Sequence, residues 1–168
     1  MVPAHELEAW SFPTSNRNTR KVAMTTPHPT DARFAETYSH AWTADPEALL
    51  QFFAIDGTYT DVAMGSTYEG HKGIGKFHRY MLEFAPDSAI IFGDTYAADG
   101  RLYSEWIWSG TFAGALRLRS GKLVDATGTH FSVPGIAACT YNPDGRLTTH
   151  RDFWDLCTVL NQASIPIG

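Results

Sequence analysis

Apolar side chains recur at helical spacing where the patterned part of the chain begins. Residues 31–42, "DARFAETYSHAW", place Phe34, Tyr38 and Trp42 four positions apart. This is the period of an amphipathic helix. Asp31 stands ahead of the stripe and is of a residue type that favours the N-cap. The pattern therefore predicts a helix with one apolar face.

Two further segments have helical patterns. Residues 45–53, "DPEALLQFF", begin with a capping residue followed by proline, which favours the first helical position, and predict a short helix. Residues 70–85 carry apolar side chains at helical spacing and stop before Pro86, because the residue before a proline disfavours helical geometry. The apolar face of this third helix consists of Ile74, Phe77, Tyr80, Met81 and Phe84.

The remaining segments have the character of strands. Residues 57–64, "GTYTDVAM", are rich in β-branched and aromatic residues and predict a strand that ends at Gly65. Four longer strand-like segments follow, with the hairpin signals "ADGR" and "NPDGR" between them. They are residues 88–100, 101–114, 128–145 and 146–154. A short last helix is expected from about Asp155. Three helices and a strand followed by an antiparallel meander predict an α+β fold.

Length and composition indicate one domain. The chain has 168 residues, of which 43% are apolar and 13% aromatic. That length suits a single core, and the high aromatic share favours a lined cavity or a dimer face. Residues 1–30 contain four prolines and no sustained apolar period, so we expect a flexible or surface-laid arm. Residues 31–168 are expected to form one domain.

Charge and motifs argue against several classes of function. The net charge is −5 and there is no run of Lys or Arg, so a nucleic-acid partner is not expected. No apolar segment reaches the length of a membrane span, and the N-terminus lacks the order of a signal peptide, which predicts a cytoplasmic protein without a membrane partner. The segment "GHKGIGK" lacks the spacing of a phosphate-binding loop, and no serine lies in a G-x-S-x-G motif.

Cysteine and histidine spacing predicts neither a disulfide framework nor a metal site. Cys139 and Cys157 form no C-x-x-C pair, so both are expected to be reduced, buried and structural. His71 and His78 lie seven residues apart on the third predicted helix, without a matching cluster of carboxylates or thiols. We therefore expect neither a metal nor another cofactor.

The last predicted strand carries the main candidate chemistry. Because side chains alternate along a strand, His150, Asp152 and Trp154 share a face with Thr148, while Arg151 lies on the other face. A carboxylate in an apolar pocket has its pKa raised by desolvation, toward the range useful for proton transfer. The same pattern also fits a surface carboxylate and a simple hydrogen-bonded histidine. Asp155 is expected to cap the last helix.

Two segments resemble the SnoaL-like polyketide cyclases of the nuclear-transport-factor-2-like superfamily. They are "FFAIDGTYTDVAMGSTYEGHKGIGKFH" and "YNPDGRLTTHRDFWDLCTVLNQ", and the resemblance extends over roughly residues 31–162. It implies a cone-shaped, curved mixed or antiparallel sheet wrapped around three N-terminal helices with a central ligand cavity. It also implies a homodimer through the convex face of the sheet. In these cyclases an acidic residue lies in a motif like H-W-D, which His150, Arg151 and Asp152 match at two positions.

Limonene-epoxide hydrolases have a similar last strand, and "HRDFWD" resembles it with Asp152 at the water-activating position. Their first-strand Tyr and Asn would correspond to Tyr59 and Asp61. The Arg and Asp that these hydrolases carry on a middle strand would correspond to Trp106 and Trp108, so the epoxide-activating acid is missing.

Ketosteroid isomerases offer a third comparison, because the stretch "TDVAMG" resembles the one that carries their catalytic base. Asp61 would be that base, and Tyr38 lies near the position of their oxyanion tyrosine. Their second oxyanion donor, a protonated Asp, would fall around Ala137 or Ala138, so that donor is absent.

Together these patterns predict a cofactor-independent acid/base enzyme acting on a small apolar or aromatic carbonyl compound by cyclisation, isomerisation or dehydration. The expected catalytic residues are Asp61, Asp152 and His150. The expected substrate-binding residues are Tyr38, Tyr59, Trp106, Trp108 and His130. A structural role stays open for Asp61, as a turn residue, and for Tyr38, as a core residue. A non-catalytic binding module of the same fold is the alternative, and an epoxide hydrolase ranks below both.

Overall fold

The computed structural model of the chain describes residues 26–44 and 46–166. Residues 1–25 of the predicted arm lie outside the described residues, and the boundary between arm and domain stays a prediction. The described end of the arm is in contact with the domain. Pro27 and Pro29 are buried, and the His28 ring packs edge-on against Tyr141 with centroids 5.2 Å apart.

Four helices and eight strands form the described part of the chain. The helices are α1 (Phe34–Ala44), α2 (Pro46–Leu50), α3 (Gly70–Phe84) and α4 (Leu156–Gln162). The first four strands are β1 (Phe53–Asp61), β2 (Ser66–Glu69), β3 (Ala89–Ala98) and β4 (Arg101–Thr111). The other four are β5 (Leu116–Arg117), β6 (Leu123–Val124), β7 (His130–Tyr141) and β8 (Leu147–Trp154).

Six strands form one curved sheet in the order β2-β1-β8-β7-β4-β3. Only β1 and β8 pair in parallel, and the other neighbours in this sheet are antiparallel. Helix α1 packs against β3, and α3 packs against β1 and β2. The α+β prediction and the predicted meander from β3 to β8 are confirmed. The parallel pair brings the first strand of the chain beside the last one.

Three element predictions need correction. Phe53 begins β1 and does not end the second helix, because α2 stops at Leu50. Strand β2 was not expected, since its four residues are too short for a clear alternation. The small hairpin β5–β6 was missed for the same reason. Both missed elements border the cavity described below.

The predicted hairpin turns are present and depend on left-handed backbone conformations. Asp99 and Gly100 have φ of 50° and 73° between β3 and β4. Two successive positive φ angles match the twist of a two-residue hairpin. Gly145 has φ of 77° between β7 and β8.

Strand alternation separates an inner face from an outer face. On β4, Ser104 and Trp106 are buried against the helices, whereas Glu105 and Ile107 are exposed on the other side. Glu105 therefore points away from Trp106. The outer face carries exposed apolar side chains from four neighbouring strands. They are Ile91, Ile107, Ile136 and Phe153, with Tyr96 and Tyr103 toward one end.

Within residues 26–44 and 46–166, no helix is long and apolar enough to cross a membrane.

The cysteine prediction is half correct. Both thiols are free, but only Cys139 is buried, on the inner face of β7. Cys157 is exposed because it lies in the first turn of α4 on the side away from the core.

Candidate active site

A cavity of about 630 Å³ lies between the inner face of the sheet and α3. Its walls are mostly aromatic and aliphatic, which suits a flat apolar ligand. The aromatic and sulfur-containing lining comes from Trp42, Tyr59, Met64, Tyr68, Phe77, Tyr80, Met81, Phe84, Phe92, Trp106, Trp108 and Trp154. Two carboxylates, Asp61 and Asp152, also line it. The hairpin β5–β6 contributes one rim.

The Asp152 carboxylate accepts three hydrogen bonds. Tyr59 Oη donates to Oδ2 at 2.9 Å, and Trp106 Nε1 donates to Oδ1 at 2.9 Å. His150 Nε2 lies 2.8 Å from the same Oδ1. Asp152 is 7% exposed, so its charge is stabilised by these donors rather than by water. Burial, followed by the charge of Asp152, raises the pKa of Tyr59 well above its usual value, so the phenol stays a donor.

The reach of Trp106 to Asp152 depends on Gly135. Trp106 lies on β4 and Asp152 on β8, with β7 between them. The indole crosses β7 at its register partner Gly135. A Cβ built on Gly135 would stand 2.3 Å from Cζ2 of the indole, which no packing tolerates. The missing side chain therefore opens the path by which the indole N–H reaches the carboxylate.

His150 and Tyr38 lie behind Asp152 and not in the cavity wall. Both side chains are fully buried, with relative exposures of 0%. Tyr38 Oη lies 2.8 Å from His150 Nδ1, so the two rings and the carboxylate form one chain of hydrogen bonds. The expectation that these two side chains face the cavity is wrong, because neither lines it. Trp42 from α1 and Phe92 from β3, which line the cavity, pack against both rings.

The electrostatics of His150 follow from the Asp152 carboxylate. Burial alone would lower the pKa of the imidazole, but the negative charge and the hydrogen bond of Asp152, with a contribution from Cys139, outweigh it. The pKa of His150 is therefore raised well above its usual value. His150 and Asp152 form a buried ion pair. Removal of His150 would leave the carboxylate without its cation, and removal of Asp152 would take away the charge that keeps His150 protonated.

Asp61 is held differently from Asp152. The N–H of Met64 and the indole N–H of Trp154 both donate to its Oδ1, at 3.0 and 2.9 Å, and neither of these bonds ends on Oδ2. Burial raises the pKa of Asp61 from 3.8 to about 6, although the Met64 and Trp154 hydrogen bonds oppose the shift. The nearby charge of Asp152 adds to the rise. A buried carboxyl group with this pKa is poised for proton transfer near neutral pH.

The two carboxylates lie side by side. Asp61 and Asp152 are register partners in the parallel pair β1–β8, where neighbouring strands are about 4.8 Å apart. They therefore share one wall of the cavity and do not face each other across Trp106 and Trp108. Among the described residues that line the cavity, no acidic side chain comes from β4. The acid that an epoxide hydrolase carries there is missing, as the sequence indicated.

The tryptophan side chains of the cavity wall donate hydrogen bonds to different acceptors. Trp108 donates to Ser88 Oγ at 2.6 Å and packs edge-on against Trp154, with centroids 5.6 Å apart. Trp106 and Trp108 line the cavity as expected. The role of Trp154 was missed, although its place on the same face as Asp152 was clear from strand alternation. Each carboxylate thus has one indole donor.

The predicted position of His130 is wrong. His130 is the first residue of β7 and is exposed. Phe131 and Val133 on the same strand are buried on the inner face, so strand alternation places the His130 side chain on the outer face. His71 and His78 bind backbone carbonyl oxygens of Phe53 and Trp42. Within the described ranges, no three His, Cys, Asp or Glu side chains lie close enough to hold a metal ion.

Asp155 has the expected structural role. Its carboxylate accepts from the N–H of Cys157 at 2.9 Å and from Thr158 Oγ1 at 2.7 Å, which caps α4. The two hydrogen bonds, that of Thr158 first, hold the pKa of Asp155 below its usual value. The two nearby carboxylates therefore have different places, with Asp152 of β8 in the cavity wall and Asp155 capping α4 outside it.

The geometry can support removal of a proton from a bound molecule. Asp61 offers a carboxylate of raised pKa in a largely apolar cavity, and Asp152 beside it is fixed by three donors. Tyr68 lines the same space, and burial raises the pKa of its phenol, which therefore keeps its proton. A base and a neutral hydrogen-bond donor in one cavity are the parts that enolisation requires.

Comparison with known proteins identifies the fold and the family. The sequence matches the family profile described as "SnoaL-like domain" over residues 33–150. No curated protein matches the chain in sequence. A crystal structure from Catenulispora acidiphila DSM 44928 is described as a hypothetical protein of ketosteroid isomerase-like fold in complex with trimethylamine. It has a TM-score of 0.68 and 26% identity, covering 82% of this chain and 96% of that one.

Two further solved structures share the fold at lower identity. A candidate SnoaL-like polyketide cyclase from Jannaschia sp. CCS1 has a TM-score of 0.64 and 16% identity, covering 80% of this chain and 88% of that one. IdmH, a candidate polyketide cyclase from Streptomyces antibioticus, has a TM-score of 0.62 and 19% identity, covering 77% and 95%. These similarities support the predicted curved sheet with N-terminal helices.

Proposed function

The chain belongs to the SnoaL-like domain family, and we propose that it is a cofactor-independent acid/base enzyme. Its substrate is a small, largely apolar carbonyl compound, and its reaction is a cyclisation, isomerisation or dehydration. The observation that carries this proposal is Asp61, a buried cavity carboxylate whose pKa is raised to about 6 by burial. Function depends on this site and not on the fold alone.

In the proposed reaction Asp61 is the general base. Its Oδ1 is held by Met64 and Trp154, and Oδ2 takes the proton from the carbon next to the substrate carbonyl. The electron pair of the C–H bond moves to the carbonyl oxygen and forms an enolate. The Tyr68 hydroxyl donates to that oxygen. Desolvation in the apolar cavity strengthens such a hydrogen bond relative to water.

The proton on Asp61 then completes the reaction in one of three ways. Return to a different carbon isomerises the substrate. Alternatively, the enolate carbon attacks a second carbonyl in the same molecule, a C–C bond forms, and the new alkoxide takes the proton, which closes a ring. Transfer to a departing hydroxyl group eliminates water. All three routes need one base and no redox partner, so the residues present are sufficient.

Asp152 and His150 have a supporting role in this proposal. Three donors hold the Asp152 carboxylate, so its two oxygens are engaged within the protein and Asp61 is left as the proposed base. Its fixed negative charge beside Asp61 favours the protonated form of Asp61. His150 and Tyr38 hold Asp152 from behind and are positioning residues.

The proposal is tested without knowledge of the natural substrate. The protein is expected to catalyse exchange of the α-protons of 2-tetralone, a bicyclic ketone with a fused benzene ring, with deuterium from D₂O, measured by proton NMR. Because only ionised Asp61 accepts a proton, the protein-dependent rate should rise about tenfold per pH unit below about 6 and level off above it. A rate that follows hydroxide alone through pH 8 would contradict the proposal.

A second candidate function is ligand binding without catalysis. It is favoured by the saturated hydrogen bonds of Asp152, since a carboxylate with three donors resembles a structural network. The exchange experiment separates the two functions. Tight binding of 2-tetralone with no exchange above the background at pH 7 would favour the binding module.

We also propose that the outer face of the sheet packs against a second copy of the chain. Ile91 and Ile107 are register partners there, as are Ile136 and Phe153, and the exposed apolar side chains form a continuous surface. Sedimentation at micromolar concentration is expected to give a dimer that Ile107→Lys converts to a monomer. Leu123→Lys, at an equally exposed residue of the β5–β6 hairpin, is the matched control. A wild-type monomer would overturn the proposal.

A further inference from the structure

Three basic side chains border the cavity. Lys76 comes from α3, and Arg117 and Arg119 come from the β5–β6 hairpin and its turn. All three residues are exposed, whereas Asp61 and Asp152 are buried deeper in the wall. The cavity therefore has a basic rim above an acidic, mostly aromatic interior.

The basic rim is not explained by the protein's own ion pairs. Within the part of the chain that the structure describes, none of the three side chains has an acidic partner within 4.0 Å. The net charge of the chain is −5, yet the cavity lining contains no exposed Asp or Glu to balance these cations. A local excess of positive charge on an acidic protein attracts anions to this opening.

The guanidinium of Arg119 lies over a glycine close to the proposed base. Gly65 has φ of 66°, and a Cβ built on it would stand 2.5 Å from the Arg119 guanidinium carbon. The guanidinium thus lies flat against backbone that has no side chain. The preceding residue, Met64, donates its N–H to Asp61. Arg119 therefore lies against the same turn whose backbone N–H holds the proposed base.

The hairpin that carries Arg117 is tied to α3. Tyr80 Oη donates to the carbonyl oxygen of Ala115 at 3.4 Å and lies 3.5 Å from the backbone nitrogen of Arg117. Lys76 lies one helical turn before Tyr80 on the same helix. The rim cations are thus brought together from two elements that contact each other directly.

From this arrangement we propose that the substrate carries a carboxylate, which the guanidinium groups of Arg119 and Arg117 and the ammonium of Lys76 hold at the rim. This inference rests on the proposed function, because it names the substrate class of that site. The apolar rings of the acid lie deeper, against the tryptophans, and bring a carbonyl toward Asp61. A planar guanidinium matches the two oxygens of a carboxylate, and an ammonium adds a point charge.

The proposal is tested by calorimetric titration at pH 7.5 and low salt with 2-naphthoate and with 2-naphthamide, which have the same ring system and differ in charge. We expect 2-naphthoate to bind the wild-type protein at least about tenfold more tightly than the amide. The preference should shrink as salt is raised, because the rim is exposed to solvent. The triple variant K76M/R117M/R119M is expected to lose it and to keep its affinity for the amide.

Matched control variants separate the effect of the rim cations from the effect of the protein's net charge. Lys72→Met and Arg101→Met remove cations that do not line the cavity, Lys72 from the same helix as Lys76, and should leave the preference unchanged. Methionine keeps an unbranched apolar side chain at each position and removes the charge. Circular dichroism and thermal unfolding of each variant check that the fold is intact.

The possible outcomes are distinct. A preference lost in the triple variant and kept in both controls supports the inference. Equal affinity of the acid and the amide, or a preference that survives in the triple variant, overturns it and leaves the base role of Asp61 untouched. Failure of the proposed function would appear elsewhere, as absent 2-tetralone exchange, since the carboxylate preference requires no proton transfer.

Discussion

Replacement of Asp61 by Asn is expected to lower the rate of 2-tetralone exchange by about 10²- to 10⁴-fold, the usual effect of losing a positioned general base. Asparagine has nearly the same shape, and its Oδ1 can accept the hydrogen bonds of Met64 and Trp154. The loss would therefore reflect the missing base and not a collapsed cavity. NMR exchange rates at pH 7 measure it.

The same substitution should make the protein more stable at neutral pH. The carboxyl pKa is 3.8 in an unfolded chain and about 6 in the folded one, so folding favours the protonated form. Wild-type stability attributable to this group therefore falls as pH rises from about 4 to 6. Asparagine does not ionise, so the advantage of Asp61→Asn should grow through that window and reach up to about 3 kcal/mol above pH 6. Urea unfolding between pH 5 and pH 8 measures the difference.

Asp56→Asn is the matched control for both measurements, because Asp56 lies on the same strand and is exposed. Its exchange rate and its stability at every pH should equal those of the wild type within error. Retention of wild-type exchange in Asp61→Asn would remove Asp61 from the mechanism. A stability difference that stays constant with pH would show that Asp61 is not protonated preferentially in the folded state.

Replacement of Asp152 by Ala is expected to destabilise the fold by about 3 to 5 kcal/mol, the range for removing one partner of a buried ion pair. It removes the charge that keeps the buried His150 protonated, and it leaves the Tyr59 hydroxyl and the Trp106 indole without an acceptor. Urea unfolding at pH 7, followed by circular dichroism, measures the loss.

Asp155→Ala provides the comparison, since it removes a carboxylate only three residues away in an exposed position. Loss of that helix cap should reduce stability by about 1 kcal/mol. Equal effects of the two substitutions would mean that the buried network around Asp152 contributes no more than a cap.

Local patterns predicted those parts of the structure that depend on local periodicity. The helical stripe of Phe34, Tyr38 and Trp42 is buried, and the faces of β4 and β8 follow strand alternation as expected. The cap at Asp155 was also evident from neighbouring residues alone. Each of these features is determined within about a dozen residues, where side-chain spacing controls burial.

The site itself depends on pairings that local patterns do not contain. Asp61 and Asp152 are neighbours only because β1 pairs in parallel with β8, across about ninety residues of chain. No spacing rule indicates that His150 lies behind Asp152 and not beside it in the wall, since that depends on the aromatic residues of α1 that fill the interior. The family resemblance pointed to Asp61, Asp152 and His150, which the fold brings close together, but it did not indicate this order of depth.

Two misses have different physical reasons. His130 was assigned to the cavity because its strand lines it, but one step of alternation reverses the side. The basic rim was missed because residues 115–127 have no sustained period, so neither the β5–β6 hairpin nor the side chains of Arg117 and Arg119 attracted notice. Charged residues in a short irregular segment are usually solvated, and only the fold reveals that these border a cavity.

The contact of Trp106 with Gly135 makes these two positions energetically coupled. A larger residue at position 135 should be harmful while tryptophan occupies position 106, and nearly neutral once the indole is replaced by a small side chain. In related sequences the two positions should therefore change together. In a chain that has both residues, the indole N–H should orient the carboxylate of the last strand from two strands away. In a chain that has neither residue, another side chain must donate that hydrogen bond.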